Sequence, residues 1–192
     1  MPEKLPNLTD NFALNFVNSR IVRHDKIKEL IRSIEDLKKW TELPNENNIE
    51  YNTQLSILSS FLDEEIDIKD LIVFRDSIHA SLREMALGEK QIIEIKEEIE
   101  SFMETHSFTL VFVENIPLFI PTDNGVEGIK TLIYLSLSEL IRTEEINKLS
   151  CCANEQCLNL FINQSGRRKW CSMKICGNRN KVGRFGEKKK NC

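Results

Sequence analysis

CCANEQCLNLFINQSGRRKWCSMKICGNRNKVGRF, residues 151–185, decides how the C-terminal part of the chain must fold. Five of the six cysteines lie in it. Four of them pair as Cys152-x4-Cys157 and Cys171-x4-Cys176, with thirteen residues between the pairs. Two cysteine pairs, each closed by a short turn and held apart by a hairpin-sized spacer, are the usual sequence form of a four-thiolate zinc site. Cys151 could replace Cys152 with a five-residue loop, but Cys152 gives both pairs the same spacing. Cys192 ends the chain beyond three lysines and reads as a free thiol.

One structural Zn2+ is therefore expected, held by Cys152, Cys157, Cys171 and Cys176. Four thiolates complete its tetrahedron and leave no position for a reacting water. A segment as short as 150–192 cannot bury a core of its own, so a metal is the natural way to fold it. No Ser/His/Asp set, Gly-rich phosphate loop or HExxH motif occurs, and no enzyme is expected. No apolar run of about 18 residues suggests a membrane helix, and the first ten residues lack a signal-peptide core. The expected setting is the reducing cytoplasm, at the nucleoid, where clustered cysteines bind metal rather than pair as disulfides.

Charge divides the chain. Residues 151–192 carry ten basic residues against two acids, a net +8, whereas residues 1–150 sum to −12. An acidic body with a basic appendix points to a polyanion as partner. Between the cysteine pairs, LNLF reads as a strand, QSG as a turn and RRKW as the returning strand. Ser172 then caps a helix over 173–185 whose start carries Cys176. Knuckle, hairpin and helix make a treble-clef-like arrangement. Arg167, Arg168 and Lys169 on the hairpin, with Lys174, Asn178, Arg179, Lys181 and Arg184 on the helix, are the candidate contacts to DNA: cations meet phosphates and an Asn can pair with an adenine edge.

Residues 1–149 read as a mostly helical body. Helices are expected over roughly 10–20, capped by Thr9 or Asp10, over 34–43 before Pro44, over 49–62, 67–88, 90–106 and 126–143. The apolar stripe Ile68, Leu71, Ile72, Ile78, Leu82 and Met85 makes 67–88 the most regular of them, with Gly88 as its stop. Between 107 and 121 the period changes to β, giving one short hairpin turning near Asn115, with Pro117 and Pro121 at its edge. The fold class is α+β, a helical domain with one hairpin over 1–149 followed by a small zinc finger over 150–192. His24, His79 and His106 are scattered, and His79 reads as a satisfied helix histidine.

At Cys176-Gly177-Asn178-Arg179 the chain resembles the CGNR zinc-finger family, and the likeness extends over CANEQC, RRKWCSM and NKV, about 35 residues. The body resembles the ABATE domain that accompanies this finger, through LNFVNSR at 14–20 and FRDSIHASL at 74–82. The resemblance implies a stress-responsive bacterial transcription regulator whose finger binds DNA and whose body senses a ligand. Asn15 departs from the pattern, where an acid is common, and Gly183 interrupts a run that is usually more basic. Asn15, Asn18 and Arg20 are the candidates for a small-molecule pocket, and a homodimer is compatible with such a body. The alternative is a zinc-dependent module that docks on protein or RNA without reading DNA sequence.

Overall fold

The structure is a computed structural model, and it describes residues 9–23, 26–43, 49–62, 66–113 and 116–178. His24, Pro44, Asn115, Arg179, Lys181, Gly183, Arg184 and Cys192 lie outside these residues. The body contains α1 (Phe12–Val17), a ribbon of β1 (Arg20–Arg23) and β2 (Lys26–Glu29), α2 (Ile34–Thr41) and α3 (Ile49–Phe61). There follow α4 (Ile68–Leu87), α5 (Ile92–Met103), a second ribbon of β3 (Phe108–Val113) and β4 (Ile116–Pro121), and α6 (Gly125–Arg142). A 3-10 turn, Glu145–Lys148, leads into β5 (Leu149–Cys151), β6 (Leu160–Ile162) and a π-helical turn, Met173–Gly177. Each pair of strands is antiparallel and two-stranded. The α+β class therefore holds: β3–β4 is the hairpin expected in the body, and β1–β2 is a further ribbon that the sequence reading did not expect.

The hub is α1. Only six residues long, it could not hold its shape alone, yet all six are buried and the other helices close around it. Phe12 stacks on Trp40 of α2 at 4.9 Å, and Phe16 lies 6.1 Å from the same ring. Leu132, Leu137 and Leu140 of α6 and Leu71, Ile78 and Leu82 of α4 complete the core. The expected helix over 10–20 is thus shorter. Asn11, not Thr9 or Asp10, caps it, its side chain accepting from the Leu14 N–H at 2.9 Å. The chain then turns into β1 instead of continuing as helix. Leu30 N–H donates to Ser19 O at 2.9 Å and closes the ribbon, with Arg20 opposite Glu29.

In α4, Leu71, Ile78 and Leu82 of the expected stripe lie in the core with Ile68 and Met85 packed against it, Ile72 does not join it, and Gly88 ends the helix in the left-handed region, φ 77°. That backbone is easy only for glycine. Next to this stripe α4 carries Arg75, His79 and Arg83 at helical spacing, four residues apart, with Arg75 and His79 buried beside Leu71, Ile78 and Leu82. Arg75 lies under the first ribbon, His79 under the loop before β6, and Arg83 beside β5. One helix face thus spans from the N-terminal ribbon to the cysteine segment.

Candidate zinc centre and the surface it presents

Beginning at β5, strand alternation sorts the side chains. Cys151 pairs with Leu160 and Leu149 with Ile162, while Ser150 pairs with Phe161. Side chains two apart on a strand share a face. Leu149, Leu160 and Ile162 accordingly join the core of the body, and Phe161 points the other way into the cysteine knot. One three-residue strand therefore belongs to two cores. The expected hairpin between LNLF and RRKW is corrected here: β6 takes β5 as its partner. Residues 167–170 return by a turn, in which Asn163 Oδ1 accepts from Arg168 N–H and its Nδ2 donates to Arg168 O.

The same alternation decides between the adjacent cysteines. Cys151 points at α4, where Arg83 approaches its sulfur at 3.7 Å. Cys152 leaves the strand and turns into the knot. Its N–H donates to Asn159 O at 3.3 Å, and Ala153 N–H donates to Lys169 O at 2.8 Å. Asn154 forms the knuckle by accepting from Gln156 N–H and, through its carbonyl, from Cys157 N–H. Ser172 O accepts from both Cys176 N–H and Gly177 N–H, at 2.9 and 3.0 Å, and winds the π-helical turn that delivers the fourth sulfur. A Cβ on Gly177 would meet only the flexible, exposed end of the Met173 side chain, Sδ at 2.8 Å and Cε at 3.0 Å, which can move aside.

The sulfurs of Cys152, Cys157, Cys171 and Cys176 all lie within 4.8 Å of one another. Cys171 Sγ is 3.7 Å from Cys157 Sγ and 3.6 Å from Cys176 Sγ. A zinc–thiolate bond of ~2.3 Å gives a tetrahedral edge of ~3.8 Å, so the donor set fits zinc. It does not fit a disulfide, whose sulfurs lie ~2.05 Å apart. Without a cation, burial and the neighbouring Cys171 sulfur together push the Cys176 thiol up to about 12. Four thiolates this close, three of them buried and Cys157 half-buried, need a divalent charge between them. Two N–H groups also aim at the sulfurs: Asn159 Nδ2 donates to Cys171 Sγ and Cys171 N–H to Cys152 Sγ, both at 3.5 Å. Outer contacts of this kind orient the ligands and spread their charge.

The CGNR zinc finger family model matches residues 148–189. This segment is a CGNR zinc finger. No curated protein gives a significant match to the chain. The finger holds one structural zinc on the four cysteines named above. Among the described residues, no helix is long and apolar enough to cross a membrane.

The finger is bound to the body by polar side chains as well as by β6. Asn18, 1% exposed, donates from Nδ2 to Leu160 O and accepts at Oδ1 from Leu160 N–H, both at 2.8 Å. One side-chain amide thus replaces a strand partner for the edge of β6. His79 lies between Leu158 O, 2.7 Å from its Nε2, and an Arg20 guanidinium nitrogen, 3.0 Å from its Nδ1. A carbonyl can only accept and a guanidinium can only donate. The ring is therefore neutral, with its proton on Nε2.

Arg20 also reaches Asp76 at 2.9 Å. Arg75, fully buried, bonds Glu29, Asp76 and Ser19. Burial opposes its charge, but the two carboxylates outweigh that and hold the guanidinium above its ordinary value.

Asn15, Asn18 and Arg20 thus all bind the protein's own groups. Asn15 donates from Nδ2 to Thr9 O at 2.8 Å and accepts from Thr9 N–H, fixing the entry to α1. Of the candidate nucleic-acid residues, Arg167, Lys169, Lys174 and Asn178 are exposed on the finger. Arg168 lies over the Phe161 ring at 4.5 Å and donates to Trp170 O and Cys171 O, bracing the chain that carries a ligand. Arg179, Lys181 and Arg184 lie outside the described residues. Asn159, Arg75 and Asp76 had no local signal in the sequence, because Cys171, Glu29 and Arg20, which they bond, sit on other segments.

A pH dependence follows from His79. Burial lowers its pKa below the usual histidine value, and the Arg20 and Arg83 charges push the same way against Leu158 O and Asp76. The unfolded chain then takes up a proton near pH 6.5 that the folded chain refuses. The stability difference between wild type and His79→Gln is expected to shrink as pH falls below about 6.5 and to level off under the folded pKa. Thermal melts of both proteins from pH 8 to 5 check this, and an imidazole titrating at or above the unfolded value would contradict it.

Proposed function

We propose that the protein is a DNA-binding transcription regulator of the bacterial cytoplasm, in which a zinc finger fixed to a helical, ABATE-like body presents a cationic surface to the duplex. The supporting observation is how the cations are used. In the body, Arg20, Arg32, Arg75, Lys90, Lys130 and Arg142 are each paired with carboxylates. Among the described residues, no ion pair involves Arg167, Lys169 or Lys174 of the finger. Cations held on a rigid module without acids beside them are suited to phosphates. The zinc supplies folding and rigidity. Its saturated coordination favours a binding protein over an enzyme.

Control by a small molecule is part of this reading. A cavity of about 330 Å³ lies where body and finger meet, lined by Asn11, Glu139 and Thr143 from the body and by Ile162, Gln164 and Arg168 from the finger. A ligand there would touch both parts, as an effector that favours one arrangement over another must. Met173, 56% exposed beside Lys174, favours a second reading, in which the finger docks on protein or RNA.

Anisotropy titrations of labelled mixed-sequence duplexes over 50–300 mM salt separate the two. Binding is expected to fall steeply with salt, and Lys174→Ala or Lys169→Ala to lower the slope of log K against log salt by about one each. A folded, zinc-loaded chain that ignores duplex DNA at 50 mM salt overturns the DNA reading.

A further inference from the structure

The second ribbon presents an apolar face that the described residues of the body leave uncovered. In the β3–β4 register, Leu110 lies opposite Phe119 and Phe112 opposite Pro117, so these four share one face with Phe108. Phe108, Leu110, Phe112 and Phe119 are 43%, 48%, 67% and 48% exposed. Neither strand contains a charged residue. Pro117 and Phe119 also line a groove of about 500 Å³ against Ile57 of α3 and Leu132 and Leu135 of α6. Face and groove are therefore one continuous surface.

We propose that this surface is the interface between two copies of the chain, packed about a two-fold axis. Three observations select a second copy over another partner. First, residues 1–150 sum to −12, so two bodies repel wherever acids face each other, and this uncharged face is where they can approach. Second, the strand face carries no charge, and Glu139 and Arg142 at the groove pair with each other, so little is left for a partner of opposite sign to read, whereas a two-fold contact needs only that the same patch complement itself.

The third is area. At ~200 Å² per large side chain the four exposures leave ~400 Å² uncovered per copy. A pair then buries ~800 Å² of the ~1,200 Å² that a specific interface needs, before groove and rim are added. Phe112 is the most exposed member, at 67%, and is the anchor expected to enter the partner's groove. Such a dimer carries two fingers. The contact does not depend on what the fingers bind, so its test involves no DNA.

Sedimentation velocity of the full-length, zinc-loaded chain between 1 and 100 μM is the experiment. The expected particle has twice the 22.3 kDa chain mass. Phe112→Lys and Phe119→Lys, each measured alone, are expected to raise the dimer dissociation constant at least ~30-fold with unchanged far-UV dichroism and zinc content. Hydrogen exchange on the wild-type chain gives a readout that needs no variant: protection of 108–121 should rise with protein concentration. A particle of 22.3 kDa across the whole range overturns the proposal. So does a folded Phe112→Lys that still pairs as wild type, or exchange at 108–121 that ignores concentration. Capture of a different protein or a lipid surface by a monomeric chain would likewise count against it.

Discussion

Cys171→Ser is expected to reduce bound zinc from one per chain to near zero and to unfold the finger. Cys171 is fully buried and its sulfur sits between those of Cys157 and Cys176. It also receives the Asn159 amide, and its N–H reaches the Cys152 sulfur. A serine oxygen is harder and shorter, and it stays protonated where a thiolate is needed. Structural zinc in small fingers is linked to ~10 kcal/mol or more of folding free energy, because the unfolded peptide has no preformed site.

The loss should not stop at the finger. Leu149, Leu160 and Ile162 belong to the body core, so losing β6 opens the floor beneath α1. A melting temperature lowered by ten degrees or more is expected for the remainder, since ~1 kcal/mol shifts a chain of this size by about 2–4 °C. Cys151→Ser is the control, expected to keep zinc because Cys151 faces Arg83 and not the knot. Metal analysis and thermal melts of the two variants check both halves. Stoichiometric zinc in Cys171→Ser would refute the four-thiolate site.

Asn18→Ala carries the next largest effect, and of a different kind. The substitution leaves the N–H and the C=O of Leu160 without partners in a site closed to water. An unmade hydrogen bond at a buried group costs about 1–3 kcal/mol, so the pair should cost ~2–5 kcal/mol. Zinc content should stay at one per chain, because Asn18 touches no ligand cysteine. What should change is the coupling. With this clamp gone, exchange protection at β6 should fall and the finger should respond less to any change in the body. Asn18→Asp separates the two bonds: it still accepts from Leu160 N–H but sets a carboxylate against Leu160 O. Equal melting temperatures for wild type and Asn18→Ala would show that β6 is held by apolar packing alone.

Residues close in the chain were readable, and distant partnerships were not. The stripe of α4, its Gly88 stop and the change of period at 107–121 each follow from side chains within a few positions of one another. The four ligands are readable for the same reason. A cysteine pair closed over four residues is a local turn whatever the rest of the chain does.

Asn18, Arg20 and His79 look in sequence like ordinary polar residues on helices. Their partners lie 142 residues away at Leu160, 56 away at Asp76 and 79 away at Leu158. Arg168 carries the charge of a phosphate contact, but its stacking on Phe161 is set by the fold of the turn, which periodicity does not describe. LNLF was a strand in either reading. Choosing LSC over RRKW as its partner depended on which side chains had an apolar body to bury against, and Leu149 and Ile162 had one.

By itself, then, the sequence determined that this chain has a helical acidic body, a β-ribbon over 107–121 and a basic four-cysteine module, because composition, period and short spacing are local quantities. That β5 is the partner of β6, that β6 serves two cores, and that Asn18 and His79 hold the finger to the body were fixed only in the folded chain. Those outcomes depend on which backbone groups remain unpaired when the core closes, and that is settled between segments far apart in the chain.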